Sequence, residues 1–307
     1  MKTVRDLHVE GKKVVVRVDF NVPIKDGKIR DDNRIVQALP TIKDLLSKGA
    51  KVILMSHLGK IKHKATPEEI ADAKAKNNMA PVAVRLNELL GKDIVSFCPD
   101  TRGANLDFFV SQLKAGEALL IQNTRYEKGE EKNDPELSKV WASIADVYVM
   151  DAFGSAHRAH ASTYGIPEIL KAEGKDVAIG YLVEKEVENL SRVVEVSDKD
   201  RPYIAILGGF KVSDKIKVID SLLKKCDKIL IGGAMAYTFK KALGQSIGIS
   251  PCEDDQLDYA KRCFIEANGR IILPVDSVVT DGFEGWTKKV TTDSPDIPDG
   301  MEGMDIG

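Results

Sequence analysis

The chain has 307 residues, 45 Lys and Arg against 47 Asp and Glu, with 43% hydrophobic and 6% aromatic residues, a profile that excludes a disordered or fibrous chain. Its formal net charge of -2 argues against nucleic acid as the main partner, yet leaves room for a local basic patch. At roughly 100–200 residues per domain the length predicts two domains, each able to bury a core without disulfides or metal. The four cysteines, Cys98, Cys226, Cys252 and Cys263, show neither C-x-x-C pairing nor zinc-ligand spacing, so no structural metal is expected. No secretory pattern opens the sequence, which points to reduced thiols in the cytoplasm. Apolar runs such as Val14–Val16 and Ala118–Ile121 fall far short of the roughly 18 residues a membrane span needs.

In chain order, "KVVVRV" ending at Val18, "AKVILMS" ending at Ser56, "EALLIQN" ending at Asn123 and "ADVYVMD" ending at Asp151 read as buried strands. Between them, residues 33–47, 80–90, 105–113 and 135–144 carry apolar side chains at three- and four-residue spacing, which predicts helices. Residues 183–196 predict a charged amphipathic connector helix, with the domain boundary near Lys185. Beyond it, "YIAILGG", "KILIGG" and "RIILPVD" alternate with helical stretches over 212–223 and 255–267. The fold expected is α/β, two open and mainly parallel doubly wound sheets over residues 1–184 and 185–307. The Pro-, Gly- and Asp-rich segment from Thr291 to Gly307 reads as irregular.

Open α/β sheets bind ligands outside the carboxyl ends of their strands. There the sequence places Asp19, Phe20 and Asn21, then His57, Leu58, Gly59 and Lys60, then Arg125, and then His157, Arg158 and His160. Arg34 opens the first helix. Any one of these alone reads as a surface charge or a satisfied polar group. Cationic groups at three successive strand ends, however, imply an anion site, and the guanidinium fork suits a small molecule carrying phosphate and carboxylate. Asp19 and Asn21 are placed to fix a hydroxyl.

In the second half, Gly208 and Gly209 follow a strand and precede Lys211 and Lys215, read as one face of a helix. Glycines that let the backbone approach an anion, a helix N-terminus and a lysine pair together suggest phosphate binding. Gly232 and Gly233 repeat the strand-to-glycine turn. There is no G-x-x-x-x-G-K-[ST] loop, no G-x-G-x-x-G, no H-R-D with D-F-G and no G-x-S-x-G in these positions, which removes support for the commonest nucleotide and hydrolase classes, nicotinamide dehydrogenases included.

The ordered segments "VVVRVDFNVP", "MSHLGK", "NTRYEKGEEKND", "DAFGSAHRAHAS", "GGFKVSDKI" and "IGGAMAYTF" closely resemble the phosphoglycerate kinase family from Val4 to Gly307. The resemblance implies a monomeric cytoplasmic enzyme of glycolysis that moves a phosphoryl group between 1,3-bisphosphoglycerate and Mg2+-bound ADP, with hinge closure. Domain 1–184 would hold 3-phosphoglycerate through Asp19, Phe20, Asn21, Arg34, His57, Leu58, Gly59, Lys60, Arg125 and Arg158. Domain 185–307 would hold nucleotide through Gly208, Gly209, Lys211, Lys215, Gly232, Gly233 and Gly303. Arg34 and Lys211 would be catalytic.

Lys60 stands where the family carries arginine, and Phe210 where it carries a small residue; Phe210 either narrows the nucleotide pocket or turns onto the core. The sequence stops after "GMDIG", before the family's later glycine-rich segments. Two readings follow: a phosphoglycerate kinase whose second domain is incomplete here, turnover belonging to the full polypeptide, or a shortened chain that binds 3-phosphoglycerate without turnover.

Overall fold

The structure, a computed structural model, describes residues 1–194 and 196–307. The chain divides into two compact units, Met1–Ser191 and Arg192–Gly307.

The first unit runs β1 (Lys13–Val18), the small hairpin β2 (Ile24–Lys25) and β3 (Lys28–Ile29), α1 (Asn33–Ser47), β4 (Lys51–Met55), α2 (Pro67–Lys76), α3 (Ala80–Leu90), β5 (Val95–Cys98), α4 (Ala104–Gln112) and β6 (Ala118–Ile121). It continues with α5 (Pro135–Ser143), β7 (Val147–Asp151), α6 (Phe153–Ala156), α7 (Ile166–Ala172), β8 (Asp176–Ile179) and α8 (Tyr181–Val194), within which the boundary between units falls. The expected connector helix extended to Val196; Glu195 lies outside the described residues.

Among the described residues, six strands form one sheet in the order β5-β6-β4-β1-β7-β8, every neighbouring pair parallel. Strand alternation splits the apolar run of β1 between two layers. Val14, Val16 and Val18 pack with Ile35, Ile42 and Leu86 on one face, while Val15, Ile53 and Met55 pack with Trp141, Ile144 and Leu170 on the other. Helices on both faces explain why these strands read as continuous hydrophobic runs. Because β4 and β7 lie on opposite sides of β1, the winding reverses there, and a crevice opens at the carboxyl ends of the strands.

The sequence reading assigned no helix to 67–76. Thr66 accepts from the Glu69 amide at 3.3 Å, Glu69 reaches back to the Thr66 amide at 3.0 Å, and Pro67 fills the first helical position. This reciprocal cap starts a helix that has no buried face to betray it.

The second unit comprises β9 (Ile204–Leu207), α9 (Ile216–Leu223), β10 (Lys228–Ile231), α10 (Met235–Ala242), α11 (Leu257–Ala267), β11 (Ile271–Ile272), β12 (Val278–Thr280), β13 (Lys289–Thr291) and β14 (Glu302–Asp305). Among the described residues, β11-β10-β9 form a parallel sheet and β13-β12-β14 an antiparallel one. The tail expected to be irregular therefore supplies a strand. Its prolines lie in the connecting loop, while Ile297 and Met301 are buried with Val279, Tyr237 and Ile247, and that burial holds β14 against β12.

Candidate active site

In the first unit, hydrogen bonds link most of the sequence-selected residues at the reversal point. The Arg34 guanidinium, on the first turn of α1, donates to Asp19 Oδ2. Asp19 Oδ1 accepts from the Asn21 amide at 3.1 Å, and Asn21 Oδ1 accepts from the Gly59 amide at 2.8 Å. The Gly59 carbonyl accepts from Arg125, whose Nη2 also lies 3.2 Å from Glu131. Buried Asn123 locks the loops after β4 and β6 together, accepting from the Leu58 and Arg125 amides at 3.1 Å each and donating to the Leu58 carbonyl at 2.7 Å.

His57 is buried at the end of β4, with Nδ1 3.1 Å from Arg17 Nη2. A guanidinium only donates, so Nδ1 accepts and the ring proton resides on Nε2. Burial, followed by the positive charge of Arg17, Arg125, Arg158 and Arg34, holds the imidazole pKa down at about 2. His57 is therefore a neutral Nε2–H donor at any ordinary pH. Arg17 is held in turn: its Nε donates to Ser162 Oγ at 2.8 Å, and Ser162 Oγ donates to Glu130 Oε1 at 2.5 Å.

Arg158 and Lys60 are exposed and make no side-chain hydrogen bond or ion pair among the described residues, so both are free to meet an anion. Phe20, Leu58 and Gly59 behave otherwise. The first two side chains are in the core, and all three amides already donate, to Ser56 Oγ, Asn123 Oδ1 and Asn21 Oδ1. They shape the crevice without offering a donor. His157 is exposed, and burial lowers the pKa of half-buried His160.

In the second unit the two glycine turns meet. Gly232 donates its amide to the Leu207 carbonyl at 2.8 Å and Met235 donates to the Gly209 carbonyl at 3.0 Å. Gly233 has φ +64°, and a Cβ there would stand 3.0 Å from the Gly209 nitrogen, so any other residue is strained. The helix expected to carry both Lys211 and Lys215 begins later than expected. Lys211 precedes a 3-10 turn, Ser213–Lys215, and α9 starts at Ile216. Ahead of α9 the Glu253 carboxylate accepts from the amides of Val212 at 2.5 Å and Ser213 at 3.1 Å, tying that turn to a residue far along the chain. Lys215 still reaches Gly209, its Cε 3.9 Å from the position a Cβ would take there. Neither lysine has a side-chain partner among the described residues. Phe210 is 66% exposed, so it does not turn onto the core. Gly303 donates to Ser250 Oγ at 2.9 Å and lies against the Tyr237 ring. No group of three or more His, Cys, Asp or Glu among the described residues has the arrangement of a metal site.

The family model for phosphoglycerate kinase matches residues 4–307. The phosphoglycerate kinase of Fusobacterium nucleatum is 53% identical over 310 residues, covering 100% of this chain and 75% of its own length. That of Clostridium novyi is 52% identical, with 100% and 74% covered. The chain belongs to the phosphoglycerate kinase family. Among solved structures, the phosphoglycerate kinase of Coxiella burnetii superposes with a TM-score of 0.82 at 37% identity, covering 99% of this chain and 74% of that one. The enzyme of Pyrococcus horikoshii gives 0.79 at 31% identity, with 100% and 75% covered. The chain thus spans about three quarters of the length of its relatives. Of the two readings of the sequence, the comparisons favour the kinase over the inactive binder.

For this member of the phosphoglycerate kinase family, sequence reading missed the layer beneath the crevice: Arg17, Asn123, Glu130 and Ser162. One signal was legible, since an arginine inside the apolar run "KVVVRV" must find buried partners.

Proposed function

We propose that the crevice of the first unit binds 3-phosphoglycerate and that the glycine turns of the second bind the adenine nucleotide with its Mg2+. The reaction is that of the family, phosphoryl transfer between 1,3-bisphosphoglycerate and ADP to give 3-phosphoglycerate and ATP in glycolysis. The observation that carries the acid-site reading is the linked set at the strand ends, in which Arg34 donates to Asp19, Gly59 to Asn21 and Arg125 to Gly59, with His57 held by Arg17. In the proposed site, Arg125, Arg158 and Lys60 neutralise phosphate and carboxylate, His57 donates from Nε2, and Asp19 and Asn21 orient a hydroxyl. Among the described residues Arg34 pairs with Asp19 alone, the guanidinium half exposed and the carboxylate largely buried. An incoming anion competes with Asp19 for this guanidinium. Arg34 and Lys211 are assigned to the transferring group. Phosphoryl transfer suits this equipment, because positioning and charge neutralisation supply most of the catalysis and no covalent protein intermediate is needed.

The proposal extends to a monomer acting in the cytoplasm on small molecules, without nucleic acid or membrane. Among the described residues no helix is long and apolar enough to cross a membrane. The test is a coupled assay with Mg-ATP and 3-phosphoglycerate that follows ADP formation. Arg34→Ala is expected to leave 3-phosphoglycerate binding within a few-fold and cut kcat by about 10²-fold or more. An unchanged kcat overturns the role given to Arg34.

A further inference from the structure

Beside the acid crevice, burial alternates along residues 60–64, which close a turn as the Ala65 amide donates to the Lys62 carbonyl at 2.9 Å. Ile61 is buried, and His63 turns inward to place Nε2 3.0 Å from the Arg125 carbonyl. Lys60, Lys62 and Lys64 are exposed between and beside these two anchors. Lys128, two residues before the short turn Glu130–Lys132, and Lys132, at its end, line the same cavity. The five lysines frame one cavity of about 540 Å³. The carboxylate in its lining, Glu131, is already 3.2 Å from Arg125. Among the described residues none of the five ammonium groups makes a hydrogen bond or ion pair. Unpaired like charges held around a concavity repel one another and raise the local concentration of polyvalent anions.

We propose that this cavity is a second anion site, for a chain of phosphates such as inorganic tripolyphosphate or the phosphate tail of a nucleotide. Five point charges spread around a cavity of this volume match several linked phosphates better than one, because each ammonium is a compact, rotatable donor without the planar fork that grips a single oxyanion. The site is distinct from the acid crevice in all but Lys60, which borders both.

The test is calorimetric titration of the whole chain with tripolyphosphate at low ionic strength, beside a variant combining Lys62→Gln, Lys64→Gln, Lys128→Gln and Lys132→Gln. The variant is expected to lose one tripolyphosphate-binding event, or to weaken it by at least about tenfold, with 3-phosphoglycerate affinity within twofold of the parent. Orthophosphate is expected to bind the parent at least about tenfold more weakly than tripolyphosphate. Metal-free ATP distinguishes the sources: a matching loss in the variant identifies a nucleotide tail, and no loss identifies the inorganic chain. If the fourfold variant does not fold, Lys62→Gln with Lys128→Gln is expected to weaken tripolyphosphate by about threefold. Unchanged tripolyphosphate binding in a folded variant, or full displacement by saturating 3-phosphoglycerate, overturns the proposal.

Discussion

The two parallel sheets of this chain are built from similar strands and buried very differently. In β1 five consecutive residues are buried, and both faces of the first sheet carry a packed layer. In β9 burial alternates: Ala205 is buried with Ile229 and Phe239, whereas Ile204 is 50% and Ile206 78% exposed. Full burial of such a side chain is worth about 1.5–3 kcal/mol, so the second sheet forgoes on its open face what the first collects on both. The contrast shows that an apolar strand records what the chain is able to bury, and only the packing decides what it does bury. It also predicts two transitions. Trp141 lies in the first unit and Trp286 in the second, so single-tryptophan variants report each in urea, with the second unit expected to unfold first.

The largest effect belongs to the doubly covered sheet. Leu54 is fully buried in β4, and Leu54→Ala is expected to destabilise the first unit by about 2–5 kcal/mol while leaving the Trp286 transition in place. Coincident shifts in both transitions sink the idea of separate stabilities.

A second effect of about 3 kcal/mol concerns pH. Asp151, at the end of β7, accepts from the Leu182 and Val183 amides at 3.0 and 3.3 Å and so caps the start of α8, but burial raises its carboxyl from the ordinary 3.8 to about 6. Between these values the native state binds more protons than the unfolded one, so stability is fully present below about pH 4 and is lost as pH rises through about 6. Asp151→Asn keeps an acceptor without charge. Relative to the parent at pH 4, the variant should gain up to about 3 kcal/mol by pH 7. A constant difference across that range removes Asp151 as the source.

In the second unit, Gly233→Ala must fit a Cβ against the Gly209 backbone at φ +64°. The expected loss is about 1–2 kcal/mol in the Trp286 transition, accompanied by weaker ADP binding. Full ADP affinity argues against the glycine turns as the nucleotide site.

Much of this was legible in the sequence, for definable reasons. β1, β4, β6 and β7 are apolar on both faces, and residues placed just after them necessarily reach the crevice; Asp19, His57 and Arg125 were found on that logic. α2 was not legible from periodicity because it buries no face, although its Thr66–Glu69 cap was written in the sequence. The turn ahead of α9 is tied down by a contact hidden for another reason. Glu253 lies about forty residues beyond Ser213 in sequence, |i−j| = 40, and no local pattern announces a carboxylate that will take the donors of a distant turn. The same holds for Arg17, whose partners Ser162 and His57 come from other loops.

The smallest expected effect is the sharpest probe of the comparison. Ile206→Thr retains the β-branched shape that suits a strand and removes apolar surface from the open face of β9. With Ile206 78% exposed, little burial is lost, and the change in stability should stay within about 0.5 kcal/mol. Self-association should fall, read as less light scattering and weaker binding of a hydrophobic dye, because an exposed apolar sheet face is a site of aggregation. A loss above about 1 kcal/mol in the Trp286 transition means that Ile206 is covered in solution, and the contrast between the two sheets then disappears.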